Sequence, residues 1–278
     1  MSDEGASLNP PTGLPTELIY HIIAAVVDGN DDDDSEYEGC SIDYRAFTLA
    51  ACSLVCKAWS NVVRPHIFSS FTIDYTNFES RLSFLHFTAP HLVGYVLELT
   101  IRGDNNRNTN FTPPQWTPEA FCRFNNLRSL SLLHVTGEWS SLPTPLALGI
   151  STLLAAPRLQ KICLRWWNFG TDVERIQNML SLCSTSLEDL TLVYVDCDYD
   201  HASATQTHVS SPINMVALSK LQLICVNHPR LPGAFTECPN LRSMTAEIDD
   251  VQLFIPLTVE DLRLVGTPLI PALPLQID

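Results

Sequence analysis

Reactive side chains are present, but their spacing does not assemble a recognisable centre. His201 follows Cys197, Asp198 and Asp200, a grouping that suggests a metal site or a Cys–His pair. Tight metal spacing would need a second thiol two residues after Cys197, and Tyr199 stands there. The surrounding stretch, residues 196–211, is polar and reads as a loop. The acidic run Asp31-Asp32-Asp33-Asp34-Ser35-Glu36 invites a calcium reading. Aligning Asp28, Asn30 and Asp32 with the first three ligand positions of an EF-hand loop puts Asp33 where Gly is needed. It also puts Gly39 where the bidentate Glu belongs, so the pattern fails. Ser35, flanked by acids, is a candidate for an acid-directed kinase. There is no Gly-rich phosphate loop and no Gly-x-Ser-x-Gly elbow. His66, His86, His91 and His134 lie in apolar runs and read as packed or hydrogen-bonded core residues. Trp166-Trp167 reads either as an aromatic recognition patch or as packing between structural units. The expectation is no catalytic residue, no metal and no cofactor.

Composition narrows the classes further. The chain has 278 residues, enough for one substantial core or two unequal domains, and a formal net charge of −15. That charge argues against binding nucleic acid through phosphate neutralisation. Nine cysteines are an odd count, none forms Cys-x-x-Cys, and Cys163 and Cys225 sit in apolar runs, where a reduced thiol acts as a small hydrophobe. Cys52 and Cys56 are spaced to share a helix face. A reducing compartment, cytoplasm or nucleus, is expected. The acidic N-terminus lacks a signal-peptide core, and no apolar run is long enough to span a bilayer, so no membrane partner is expected. Asn110-Phe111-Thr112 is a glycosylation sequon by pattern, expected to stay unmodified without an export signal.

The elements that would position a site begin with a helical cluster. Pro15 suits a first helical turn and Glu17 complements the helix dipole. Leu18, Ile22 and Val26 form one apolar stripe, and Ile19, Ile23 and Val27 form a second beside it. The face is wider than one packing contact requires. Asp28-Gly29-Asn30 ends this helix. Asp43 or a neighbour can cap a second, carrying Phe47, Leu49, Ala50 and Leu54. A third follows a break near Leu54-Val55 and is expected to stop before Pro65, with an extended run from Phe68 to Ile73.

Leu14-Pro15-Thr16-Glu17-Leu18, followed by Leu54-Val55-Cys56-Lys57-Ala58-Trp59, resembles an F-box, the helical module of substrate receptors in cullin-RING ubiquitin ligases. The resemblance spans about Leu14 to Phe68. It implies docking on a Skp-family adaptor and, through it, a cullin complex. It carries Leu14, Pro15, Leu18, Ile22, Leu54, Val55 and Trp59 over as adaptor contacts. The acidic link from Asp28 to Ser41 is longer than the family usually has. The alternative reading of these residues is the interior of a helical cap.

From Phe68 onward the frame L-x-x-L-x-L recurs with substitutions. It is carried by Phe68, Phe71, Ile73; Val96, Leu99, Ile101; Leu127, Leu130, Leu132; Leu159, Ile162, Leu164; and Leu187, Leu190, Leu192. Leu221, Ile224, Val226; Leu241, Met244, Ala246; and Val259, Leu262, Leu264 follow. The steps are 28, 31, 32, 28 and 34 residues, then 20 and 18. A short strand at such intervals resembles a leucine-rich-repeat solenoid, in which parallel strands must bury both faces and units stack into a curved array. Helices are expected over 77–91, 118–123, 145–156 and 172–182, the last with Val173, Ile176, Met179 and Leu180 as its buried stripe. Ala156-Pro157 and Cys238-Pro239 should form turns before strands. The Asn or Cys that usually ladders behind the strand is replaced by Val135, Trp167, Val195 and Asp249. The wording around Phe87 to Ile101 looks like fungal F-box receptors.

The expected architecture is α/β: mobile residues 1–12, an F-box-like domain over 13–68 with an acidic loop at 28–42, an irregular leucine-rich-repeat-like domain over 69–267, and a Pro-rich tail over 268–278. The expected function is a non-catalytic substrate receptor that binds a protein target through Glu98, Thr100, Arg102, Ser129, Ser131, Lys161, Arg165, Asp189 and Thr191. These are the polar residues between and beside the apolar ones. A plain interaction scaffold, and a hydrolase or metalloenzyme hidden in the repeats, are the other classes.

Overall fold

The computed structural model describes residues 15–28, 44–103, 112–134, 142–169, 178–183, 185–196, 215–224, 226, 235, 238–247 and 259–265. Leu14, the acidic loop, Asp43, Asn110, Val173, Ile176, Cys225 and the Cys197–His201 cluster lie outside them. The chain divides into two units, residues 1–69 and 70–278.

The first unit holds α1 (Thr16–Asp28), α2 (Tyr44–Ser53) and α3 (Lys57–Ile67). Its core is Ile19, Ile23, Leu49, Val62 and Val63, with Val26, Val27, Cys52, Trp59 and Ile67 packed partly against it. The two stripes of α1 therefore separate: Ile19 and Ile23 face in, while Leu18 and Ile22 stay exposed. Pro65 does not stop α3. The helix continues to Ile67, and the Phe68 N–H reaches the Arg64 carbonyl at 3.1 Å. A proline there removes one donor near the helix end, and the buried Val62 and Val63 one turn earlier hold the segment in place. Cys52 ends on α2 and Cys56 is the extended N-cap residue of α3, so the two do not share a helix.

The second unit is built on one all-parallel sheet of β1 (Ser70–Asp74), β2 (Glu98–Arg102), β3 (Ser129–Leu133), β4 (Lys161–Asn168), β5 (Asp189–Asp196), β6 (Lys220–Ile224), β7 (Ser243–Glu247) and β8 (Asp261–Val265). They pair in sequential order. Phe71, Leu99, Leu130, Ile162, Leu190, Leu221, Met244 and Leu262 lie level across it. The sixth unit thus reads Leu218, Leu221, Leu223, a correction of three residues to the frame expected from the sequence. Leu218, Leu221 and Leu223 are buried, whereas Ile224 and Val226 are only partly covered. The steps become 28, 31, 32, 28, 31, 23 and 18 residues.

A recurrent backbone device holds this register. The Leu97 carbonyl accepts from the N–H groups of both Arg128 and Ser129. The Arg128 carbonyl takes Gln160 and Lys161, the Gln160 carbonyl takes Glu188 and Asp189, and the Glu188 carbonyl takes Ser219 and Lys220. Ser219 and Arg242 repeat the pattern for the last two strands. Ahead of the strands a tight turn recurs: Leu127 N–H to Phe124, Leu159 to Ala156, Leu218 to Met215 and Leu241 to Cys238. Pro157 and Pro239 sit second in two of these turns, the position a fixed φ suits.

Burial alternates along the strands. Leu99, Ile101, Leu130, Leu132, Ile162 and Leu164 are essentially inaccessible, while Glu98, Thr100, Ser129, Ser131 and Lys161 are partly or fully exposed. One face is buried and the other is wet. The expectation that both faces are buried is corrected: alternate positions carry hydroxyls and charges that water can solvate, the half-buried pattern more usual in antiparallel sheets. Between the strands come α4 (Phe78–Ser83), α5 (Thr117–Phe121) and α6 (Thr144–Leu154), which bury Phe78, Leu82, Phe121, Leu146 and Ile150. Phe78 meets Phe121 edge-on at 6.2 Å, and Phe121 meets Phe124 at 6.0 Å. The helix expected over 77–91 is broken: α4 passes into a π turn at Phe84–Thr88, and Pro90 opens a 3-10 segment to Tyr95. His91 is exposed rather than packed.

Candidate functional site

The helical unit exposes large apolar residues on α1, on α2 and at the turn between α2 and α3. The Leu54 N–H bonds the Ala51 carbonyl at 3.1 Å and the Val55 N–H bonds Cys52 at 3.2 Å, a tight turn that closes α2. Cys56 is then fully extended, with φ −165° and ψ 173°, before α3 begins. This geometry pushes Leu54 and Val55 outward; Leu54 is 85% exposed. Leu18 and Ile22 are exposed on α1, and Pro15 lies just ahead of it, also exposed. Tyr20 and Phe47 are large exposed apolar residues as well, and the motif reading passed over both. Their signal was available: Phe47 precedes the buried Leu49 by two positions, which turns it away from the core. Trp59 differs from the rest, being half-buried and packed against the core.

The polar residues expected to meet a target fall into rows across the wet face of the sheet. Glu98, Ser129, Lys161 and Asp189 are level with one another, and Lys220 continues the row. Asp189 lies 3.8 Å from Lys161 and 3.6 Å from Lys220. Both lysine side chains are half exposed, so these pairs contribute little to stability. Thr100, Ser131 and Thr191 form the next row, with Cys163 between Ser131 and Thr191. Cys163 is thus on the wet face, not in the core. Burial is the main cause pushing its thiol pKa up; Arg165 and Lys161 oppose that and Asp189 adds to it. Arg102 and Arg165 lie in a third row, separated by Leu133.

One position further on, the strands carry a feature that frame reading missed. His134, Trp166 and Tyr194 all have positive φ, at 51°, 62° and 52°. The β4–β5 ladder pairs Arg165 with Val193 and Trp167 with Val195, skipping Trp166 and Tyr194. The left-handed residue re-aims the side chain out of the strand's alternation. The three rings stack: His134 on Trp166 at 5.6 Å and 14°, Trp166 on Tyr194 at 4.0 Å and 12°. Trp166 is 47% and Tyr194 42% exposed. The signal in the sequence is an aromatic or histidine two residues after the last leucine of three successive frames. Trp167, its neighbour, is 1% exposed and donates its indole N–H to the Leu132 carbonyl at 3.1 Å. It occupies the position where Asn or Cys was expected and makes a comparable bond to the preceding unit. The packing reading holds for Trp167, while Trp166 is exposed.

Among the described residues no group of three or more His, Cys, Asp and Glu is placed to hold a metal ion. No helix among them is long and apolar enough to cross a membrane. No family model matches the chain, and no match was found among curated proteins or solved structures.

Proposed function

We propose that the chain is a non-catalytic substrate receptor of a cullin-RING ubiquitin ligase. Its helical unit docks on a Skp-family adaptor, and the wet face of its parallel sheet holds a protein target. The observation that carries this reading is the exposed apolar set Leu18, Ile22, Phe47, Leu54 and Val55 on a unit whose own core is already filled by Ile19, Ile23, Leu49, Val62 and Val63. Large apolar residues left outside a finished core point to an interaction surface. The resemblance of Leu14-Pro15-Thr16-Glu17-Leu18 and Leu54-Val55-Cys56-Lys57-Ala58-Trp59 to an F-box supplies the class of partner. The sheet fits the second role: mixed charge, small hydroxyls and aromatic rings on rigid strands suit protein recognition, and catalysis would belong to partner subunits, with this chain supplying proximity.

The test is co-purification of the full chain with a Skp-family adaptor, comparing wild type with Leu54→Ala and Val55→Ala. The receptor reading expects a complex with wild type and loss of it in the variants. No complex with any adaptor offered returns the chain to a plain scaffold.

A further inference from the structure

Across the wet face, the first polar row carries an ordered alternation of charge. Its outer members are acidic, Glu98 on β2 and Asp261 on β8, and both are exposed. Its inner pair is basic, Lys161 on β4 and Lys220 on β6, with Asp189 of β5 between them. Ser129 and Ser243 fill the two remaining places. From either edge the row reads acidic-Ser-Lys-Asp-Lys-Ser-acidic. Asp189 is shared, its Oδ2 lying 3.8 Å from the Lys161 Nζ and 3.6 Å from the Lys220 Nζ. One carboxylate between two ammonium groups leaves a surplus of positive charge at the centre of the row. Both lysine side chains are half exposed, and an ammonium group carries three donors, so each can take a second acceptor from outside. We propose that this row seats an extended segment of a protein target. Two Asp or Glu carboxylates of the segment sit on Lys161 and Lys220, and basic residues further out meet Glu98 and Asp261. The proposal rests on the reading of the wet face as the target-binding surface, and it names the class of target.

Spacing selects the shape of that segment. Glu98, Lys161, Lys220 and Asp261 stand on every second strand, roughly 9.6 Å apart at about 4.8 Å per strand. A polyproline II chain rises about 3.1 Å per residue with three residues per turn, so residues three apart share one side at about 9.3 Å. The complementary pattern is therefore basic-x-x-acidic-x-x-acidic-x-x-basic. Such a backbone has no internal hydrogen bonds, and the neighbouring row offers it partners. Thr100, Ser131, Thr191, Gln222 and Thr245 lie there, all partly exposed. An α-helix bonds its backbone within itself and would leave that row unused. The inner pair favours carboxylates over a phosphoryl group. Asp189 stays between the lysines and repels a dianion more than a single charge. The row also holds no arginine, the residue whose fork fits phosphate bidentately. Arg165 stands four residues along β4 from Lys161, roughly 13 Å away.

The test titrates the full chain into three end-blocked fluorescent peptides, read by anisotropy. The first, Lys-Pro-Pro-Glu-Pro-Pro-Glu-Pro-Pro-Lys, carries the complementary order. The second, Glu-Pro-Pro-Lys-Pro-Pro-Lys-Pro-Pro-Glu, has the same composition with the signs exchanged. The third replaces both glutamates of the first with phosphoserine. The first should bind at least about tenfold tighter than the second, which sets like charges against each other at every contact. It should also bind at least as tightly as the third. Lys220→Met keeps the apolar stem and removes one charge, and should weaken the first peptide about threefold; Lys161→Met/Lys220→Met should weaken it about tenfold. Circular dichroism checks that each variant is folded, and the single variant leaves Asp189 a partner. Equal affinity for the first two peptides, binding of neither, or affinity unmoved by the lysine variants overturns the inference. Tighter binding of the third peptide overturns it as well, because the occupant is then a phosphorylated segment. Where any of these results comes with an intact adaptor complex, the receptor reading stands and only the class of target falls.

Discussion

Trp166 and Trp167 are neighbours with opposite surroundings, and the positive φ at Trp166 is what separates them. Trp167→Phe removes a buried donor to the Leu132 carbonyl and leaves a small void. Urea unfolding should show a loss of about 2–3 kcal/mol. Trp166→Ala, on the exposed side, should cost less, about 1–2 kcal/mol by the same measurement, since it removes two half-exposed stacked pairs, with His134 and Tyr194. Thiols divide in the same way. Cys56 and Cys122 are exposed and Cys183 is buried. Burial pushes the Cys183 thiol up to about 12. Alkylation of the native protein at pH 8, read by mass spectrometry, should modify Cys56 and Cys122 and spare Cys183. The neutral thiol is favoured only in the folded state, so its contribution to stability is complete below the ordinary thiol value. It declines as pH rises towards 12, because the unfolded chain ionises first.

At the scale of elements, α5 and α6 meet at Gly149. A Cβ there would sit 2.6 Å from Phe121 Cδ2 and 3.2 Å from Thr117 Cγ2. Gly149→Ala gains about 1 kcal/mol of helix propensity but forces a buried ring to move, at about 1–3 kcal/mol. Thr117 and Phe121 are themselves buried, so the second effect should win and lower the unfolding midpoint. In the π turn, His86 stacks on Trp116 at 5.2 Å and 9°, and its carbonyl accepts from Arg123. Burial lowers its pKa, Arg123 lowers it further and Glu119 opposes. The neutral form is the folded one, so stability is present above the ordinary histidine value and falls as pH drops below about 6.5. The melting temperature should drop between pH 6.5 and 5, and by less in His86→Gln. The strands were legible because leucines at fixed offsets mark the buried face whatever separates them. The sixth was misplaced because Leu218, Leu221, Leu223, Ile224 and Val226 contain two overlapping frames, and only packing chooses between them. The aromatic stack was not legible as a unit: His has some preference for positive φ but Trp and Tyr have none, and at those two the left-handed residue coincides with a skipped ladder position. Pro65 misled because tertiary burial of Val62 and Val63 outweighs a local break.

For the whole molecule, the receptor reading makes the exposed corner at Leu54 and Val55 matter for binding and not for folding. Leu54→Ala/Val55→Ala should weaken adaptor binding at least tenfold by calorimetry, the scale of one to two interface anchors. The unfolding midpoint should stay where it is, as expected of exposed positions. Trp59→Ala should lower both, because that ring also packs on the helical core. The row of carbonyls that each accept two N–H groups from the next unit has a separate bearing on how such a chain can change. Alignment is set afresh at the start of each strand from β3 to β8, whatever length of connector came before. Insertions and deletions between strands can therefore accumulate without sliding the rows past one another, as the spread from 32 residues down to 18 already illustrates. Selection can then revise the exposed face of the sheet one rung at a time while the scaffold keeps its alignment.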